Sequence, residues 1–191
     1  MSIATWVYVV PTDTLQVIIS KANGFGDGEW AFYITSVEKA AFYCFDDSTG
    51  AFMLIRSEDA LTTGWHFVVA TYSGSGAASG FSLYVDGTVE SNPYTYKGFT
   101  YTAMENTTAN VALGAYANAT AKLADKLDNT ALFDKELSAA EVTTLWNSGN
   151  GTEDYSSLSA NLISQWKMND DSSVDHPIQT EVVSLGTGNL G

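Results

Sequence analysis

Gly64-Trp65-His66-Phe67-Val68-Val69-Ala70-Thr71-Tyr72, answered by Phe81-Ser82-Leu83-Tyr84-Val85-Asp86-Gly87, is the stretch that decides the fold. Phe67, Val69 and Thr71 alternate with Val68, Ala70 and Tyr72, and Phe81, Leu83 and Val85 keep the same period of two. That is the period of a strand, whose successive side chains point to opposite faces. Residues 73–80 between them are serine, glycine and alanine, which supply turn geometry. Asp86-Gly87 suits the positive φ values of a tight turn. The reading is a β-hairpin followed at once by a second turn.

A second informative segment runs from Lys126 to Val142. It reads as a strand through Phe133, a turn, and a short helix. Ser138 and Glu141 have capping-box spacing, in which each side chain satisfies a free backbone N–H of the first helical turn. Val142, Leu145 and Trp146 share one helical face, and Asn147-Ser148-Gly149 ends the helix. In this order the two segments resemble the laminin-G-like and pentraxin-like branch of the concanavalin A-like lectin/glucanase superfamily, and the resemblance covers residues 3–149. It implies an all-β chain: an antiparallel two-sheet jelly-roll sandwich with one short helix.

The remaining periodicity agrees with that class. Strands are expected over residues 3–10 around Trp6, 15–21, 30–34, 39–45, 51–56, 89–103 and 110–115, with a glycine-rich loop at 22–29. Trp6, Trp65 and Trp166 are expected in the core, as is the lone Cys44. The tail around Leu162, Ile163 and Trp166 resembles a segment that normally opens such a domain, while the family's opening strand is missing before Ile3. Residues 1–191 are therefore expected to form one domain. Within it, 161–191 are expected to make a permuted terminal strand and tail, with 161–168 paired beside the strand at 3–10 or at 126–133; the alternative is that Asn161 begins the next repeat of a tandem array. Residues 164–168 also resemble laminin-G-like domains of phage fibre and decoration proteins, which implies a virion surface or an extracellular setting.

The chain has 191 residues, 45% of them hydrophobic, which is ample for a sandwich core. No apolar run approaches the ~20 residues of a membrane-spanning helix. Eight basic against 22 acidic residues give a net charge of −14, so nucleic acid is not an expected partner: little cationic surface is available to displace phosphate counterions.

Laminarinase-type glucanases share the fold and need paired carboxylates on one strand face. Their E-x-D-x-x-E strand does not occur here, nor does a G-x-S-x-G elbow, an H-E-x-x-H pair or a Walker loop. The chain reads as a non-enzyme, with His66 a structural residue. The resemblance makes calcium the cofactor to look for. Asp128 falls at the family's frequent metal-site aspartate, although the glutamate expected next is Asn129, and Asp46-Asp47 form a second acidic cluster. For sugar binding, aromatic faces flanked by amides are needed. Tyr94, Tyr96, Phe99 and Tyr101 with Asn92 are the candidates.

The expected function is a non-catalytic recognition module for a glycan or cell-surface polysaccharide. One alternative is a structural virion protein that uses the sandwich for contacts with virion proteins or with its own copies. Another is a secreted adhesin or enzyme-appended carbohydrate-binding module.

Overall fold

The computed structural model describes residues 1–124, 126–152 and 154–168. The strands are β1 (Ser2–Val9), β2 (Gln16–Gly24), β3 (Asp27–Ile34), β4 (Ala40–Asp46), β5 (Ala51–Arg56), β6 (Gly64–Tyr72), β7 (Phe81–Val85), β8 (Thr88–Val89), β9 (Tyr94–Lys97), β10 (Val111–Leu113), β11 (Leu127–Phe133) and β12 (Leu162–Trp166), with one helix, α1 (Ala139–Trp146), between the last two. They form two antiparallel sheets of six. The first runs β12-β11-β1-β6-β7-β8 and the second β10-β2-β3-β4-β5-β9.

Side-chain alternation sorts the apolar residues into three layers. Ile3, Val7, Phe32, Phe42, Cys44, Met53, Ile55, Val68 and Leu83 meet between the sheets as the main core. The opposite faces of β1 and β6 carry Ala4, Trp6, Phe67 and Val69, which are covered by Val142 and Leu145 of α1 and by Tyr155 and Leu158. The outer face of the second sheet carries a third cluster around Tyr33, Tyr43 and Phe45.

The opening hairpin forms as read, with Val68 opposite Val85 and Tyr72 opposite Phe81. Asp86 (φ 49°) and Gly87 (φ 76°) make the two-residue turn into β8, both positive as a twisted hairpin prefers. The Asp86 carboxylate closes this corner. Its Oδ1 accepts from the Phe67 N–H at 2.9 Å and its Oδ2 lies 2.8 Å from His66 Nδ1. The capping box is present too: the Ser138 N–H donates to Glu141 Oε2 at 2.8 Å while the Ser138 hydroxyl accepts from the Glu141 N–H.

β12 is an edge strand beside β11, with Thr130 opposite Trp166 and Ala131 opposite Gln165. Of the expected tail, residues 169–191 lie outside the described residues. Two burial expectations need correcting. Trp6 is buried, but Trp65 and Trp166 are only half-buried, and Ile163 is exposed. Trp65 stands at the open start of β6, edge-on to Tyr8 at 5.5 Å. Trp166 and Ile163 lie on β12, which is the edge strand of the first sheet among the described residues.

Two segments also depart from the expected strands. Residues 22–29 are not an open loop: β2 and β3 continue to a two-residue turn at Phe25-Gly26. Gly28 permits this, because a Cβ there would lie 2.3 Å from the Ala22 Cα. Residues 89–103 are not one strand. Pro93 precedes β9, and a turn at Gly98 follows it, with the Tyr101 N–H donating back to the Gly98 carbonyl at 3.1 Å.

Candidate functional site

The outer face of the second sheet follows from its register. Tyr33 lies opposite Ala41, Ala41 opposite Arg56, and Arg56 opposite Tyr94, forming one row across four strands. The next row is Ala31, Tyr43, Leu54 and Tyr96, and beyond it Phe45 faces Phe52. Directly opposite residues of an antiparallel pair share a face. These strands therefore place a continuous run of rings and one guanidinium on the side away from the main core.

The rings pack on one another. Phe25, carried over the sheet by its turn, sits edge-on to Tyr43 at 5.2 Å and to Phe52 at 5.3 Å, and Phe52 lies 5.1 Å from Tyr96. The Tyr43 hydroxyl donates to Tyr116 Oη at 3.3 Å, fixing the ring from beneath. Burial, reinforced by the neighbouring Tyr116, pushes the Tyr33 phenol up to about 12, so it stays neutral at physiological pH. The outermost rings remain open to solvent: Phe25 is 55%, Tyr94 50% and Tyr96 40% exposed. This contiguous exposed aromatic surface is the candidate binding face.

At the β9 end of this face is a shallow pocket of about 350 Å³, lined by Lys39, Arg56, Ser57, Glu58, Asn92, Pro93, Tyr94 and Thr95. Asn92 Nδ2 donates to Glu58 Oε1 at 3.0 Å, and the Glu58 N–H donates to Glu90 Oε2 at 2.9 Å. The Arg56 guanidinium lies over the Tyr94 ring, 5.0 Å from its centroid.

Three of the five expected sugar-binding residues, Asn92, Tyr94 and Tyr96, thus lie around this pocket and face. Phe99 stands at the tip of the following loop, fully exposed at 108%. Tyr101 is a correction. It is only 3% exposed and belongs to the main core: it stands an odd number of residues from Tyr94 and Tyr96, beyond a turn at Gly98, and falls between the sheets. Sequence reasoning missed Phe25, Tyr43, Phe52 and Arg56. The alternation of Phe52, Leu54 and Arg56 in β5 is the signal that carries the last two, once β5 is paired with β9.

The three aspartates lie at two separate places in the fold. Asp46 ends β4 in the second sheet, buried, and its carboxylate is used by the fold. Oδ2 accepts from the Thr102 N–H at 2.8 Å and the Thr102 hydroxyl at 2.7 Å, and Oδ1 from Ser48 and Thr49. These bonds, those from Thr102 foremost, hold the carboxyl well below the usual range. Asp47 is exposed beside it. Asp128 lies in the other sheet, buried opposite Trp6. Asn129 next to it takes a left-handed φ of 44° in a bulge between β1 and β11, and bridges the Thr152 carbonyl to Gln165. Among the described residues no three His, Cys, Asp or Glu side chains converge on one point.

Two six-stranded antiparallel sheets, with the helix on one outer face and an open aromatic surface on the other, define a jelly-roll sandwich of the concanavalin A-like kind. The chain belongs to that family: a laminin G family model, described as the concanavalin A-like lectin/glucanases superfamily, matches residues 1–143.

Similar solved structures include a protein of Bacteroides ovatus ATCC 8483 provisionally assigned to carbohydrate binding. It has a TM-score of 0.63 and 13% identity, over 90% of this chain and 45% of that one, so the present chain spans less than half of its length. The CBM40 of the Ruminococcus gnavus IT-sialidase, bound to α2,3 sialyllactose, matches with a TM-score of 0.53 and 14% identity, over 75% of this chain and 80% of that one. A heptameric SAP-like pentraxin of Limulus polyphemus matches with a TM-score of 0.52 and 16% identity, over 80% and 71%. At these identities the likeness is one of fold. Comparison with curated protein sequences gives no match.

Proposed function

We propose that the chain is a non-catalytic carbohydrate-binding module that receives sugar on the outer face of its second sheet, at Tyr94, Tyr96, Phe25 and Phe52. The observation that carries this reading is the exposed aromatic run beside a polar pocket. Ring faces stack on pyranose rings, and Asn92 and its neighbours supply hydrogen bonds around them. The sialyllactose bound by the Ruminococcus gnavus CBM40 and the provisional carbohydrate-binding assignment of the Bacteroides ovatus protein support the same reading. Presentation on a virion or cell surface is part of the proposal and rests on the resemblance of residues 164–168 to phage fibre domains.

The test is retention of the purified chain on immobilised polysaccharides and a glycan array. Tyr94→Ala and Tyr96→Ala should each weaken the retained glycan about tenfold, as the loss of about 1.4 kcal/mol of ring contact predicts. Their melting temperatures should stay near the parent's, since both rings are half-exposed at a sheet edge. Release of reducing sugar would sink the non-catalytic part. Binding to no glycan, together with self-association through the same rings, would instead favour a structural virion protein.

A further inference from the structure

Arg56 is the only arginine among 191 residues, in a chain of net charge −14. Buried or half-buried arginines ordinarily use their five N–H donors on nearby carboxylates or carbonyls. Arg56 does not. It is half-buried and its Nε is enclosed without a hydrogen-bond partner. Among the described residues no side chain or carbonyl accepts from the guanidinium, whose one contact of note is the Tyr94 ring at 5.0 Å.

Acidic groups are close at hand, yet they are engaged elsewhere. Glu58 Oε1 takes the Asn92 amide, Glu90 Oε2 takes the Glu58 N–H, and Lys39 Nζ donates to the Glu58 backbone carbonyl. The pocket therefore presents a planar cation over a ring, with its donors unspent.

Resting on the carbohydrate-binding reading above, we infer that Arg56 is the carboxylate clamp of this site. The glycan it takes carries an acidic sugar, whose carboxylate seats on Arg56 while the ring stacks toward Tyr94 and Tyr96. A guanidinium matches a carboxylate in shape and charge, and a charge-assisted pair is stronger than a neutral hydrogen bond. The same surroundings disfavour a dense polyanion. Glu58 lines the pocket and Glu90 accepts from its N–H, while Lys39 and Arg56 are the lining cations, too few to match a densely charged chain. One carboxylate on an otherwise neutral sugar is the chemistry that fits.

The experiment is a glycan array of matched sets on the full chain, with each core saccharide present in neutral, carboxylated and sulfated forms. Parent, Arg56→Gln and Arg56→Lys proteins are compared, and melting curves are recorded for all three. The expected result is retention of carboxylated members at least about tenfold above their neutral and sulfated counterparts. Arg56→Gln should abolish that preference without shifting the melt, and Arg56→Lys should restore only part of it, because the charge returns without the planar fork. Equal retention of neutral and carboxylated members, or a preference for sulfated ones, would overturn the carboxylate assignment and leave the carbohydrate reading standing. Retention of no glycan at all would overturn both.

Discussion

His66 shows how a single side chain ties the opening hairpin to the next corner, and it carries a pH signature. Its Nδ1 lies 2.8 Å from Asp86 Oδ2 and its Nε2 3.0 Å from the Thr62 carbonyl oxygen. Both neighbours are acceptors, so the doubly protonated ring satisfies both. The bond to Asp86, outweighing the opposing effect of burial, raises the pKa above the ordinary 6.5. A raised value means that the folded state holds the proton more tightly than the unfolded chain. The stabilisation is then complete below 6.5 and is lost as pH rises through the folded value. Urea unfolding across this range should show stability falling on the alkaline side of 6.5, and His66→Gln should flatten that slope. Parallel profiles for parent and variant would rule the linkage out. The two tryptophans of this region should separate in the same assay. Trp6, buried 5.3 Å from Phe67, should cost ~3–5 kcal/mol when cut to alanine. Trp65, half-buried, should cost roughly 1 kcal/mol.

Elements meet closely where the β7–β8 turn touches α1. A Cβ on Gly87 would lie 2.5 Å from the Trp146 ring, and its φ of 76° is one that other residues resist. Gly50, with φ 66° and nothing within 4 Å of such a Cβ, is the natural control. Gly50→Ala should cost only the backbone strain, ~1–2 kcal/mol. Gly87→Ala should cost more, because Trp146 and the helix must also shift. Equal losses in denaturant melts would show that the ring moves freely. This pairing also marks the limit of what the chain's residues announce. The Asp86-Gly87 turn, the capping box at Ser138 and Glu141, and the alternation of 64–72 are local signals, each with one geometry to satisfy, and all three are legible without coordinates. The aromatic face is not, because it is made by register. Phe52, Leu54 and Arg56 become a site only when β5 lies beside β9, and Phe25 joins them only because β2 and β3 extend to a two-residue turn. Tyr101 misleads for the same reason. It continues the aromatic run of Tyr94 and Tyr96, but it comes five residues after Tyr96, an odd step that belongs to the opposite face, and a turn at Gly98 intervenes. Asp46 misleads differently, since an acidic pair in a turn reads alike whether its oxygens face solvent or cap Thr102.

For the whole molecule, the decisive question is what the C-terminal third contributes to a sandwich whose main core lies upstream. Tyr155 and Leu158 are buried on the outer face of the first sheet, Leu162 packs against the same cluster, and Trp166 packs against the main core. β12 in turn pairs with β11 along its length, pinned by the Asp134 N–H to the Asn161 carbonyl at 3.0 Å and by Gln165 Nε2 to Asn129 Oδ1 at 2.7 Å. Full burial of an apolar side chain is worth ~1.5–3 kcal/mol, so Tyr155 and Leu158 contribute near that and the half-buried Leu162 and Trp166 about half as much. Ending the chain after Gly151 removes all four and leaves β11, buried on both faces, as an unpaired edge. Such an edge recruits other strands. The truncated chain should be insoluble or oligomeric by light scattering. If the shorter chain stays monomeric and melts like the parent, β12 is an accessory to the sandwich. A truncation that fails only by self-association, rescued by adding back residues 152–168 as a peptide, would show that this segment completes the first sheet beside β11.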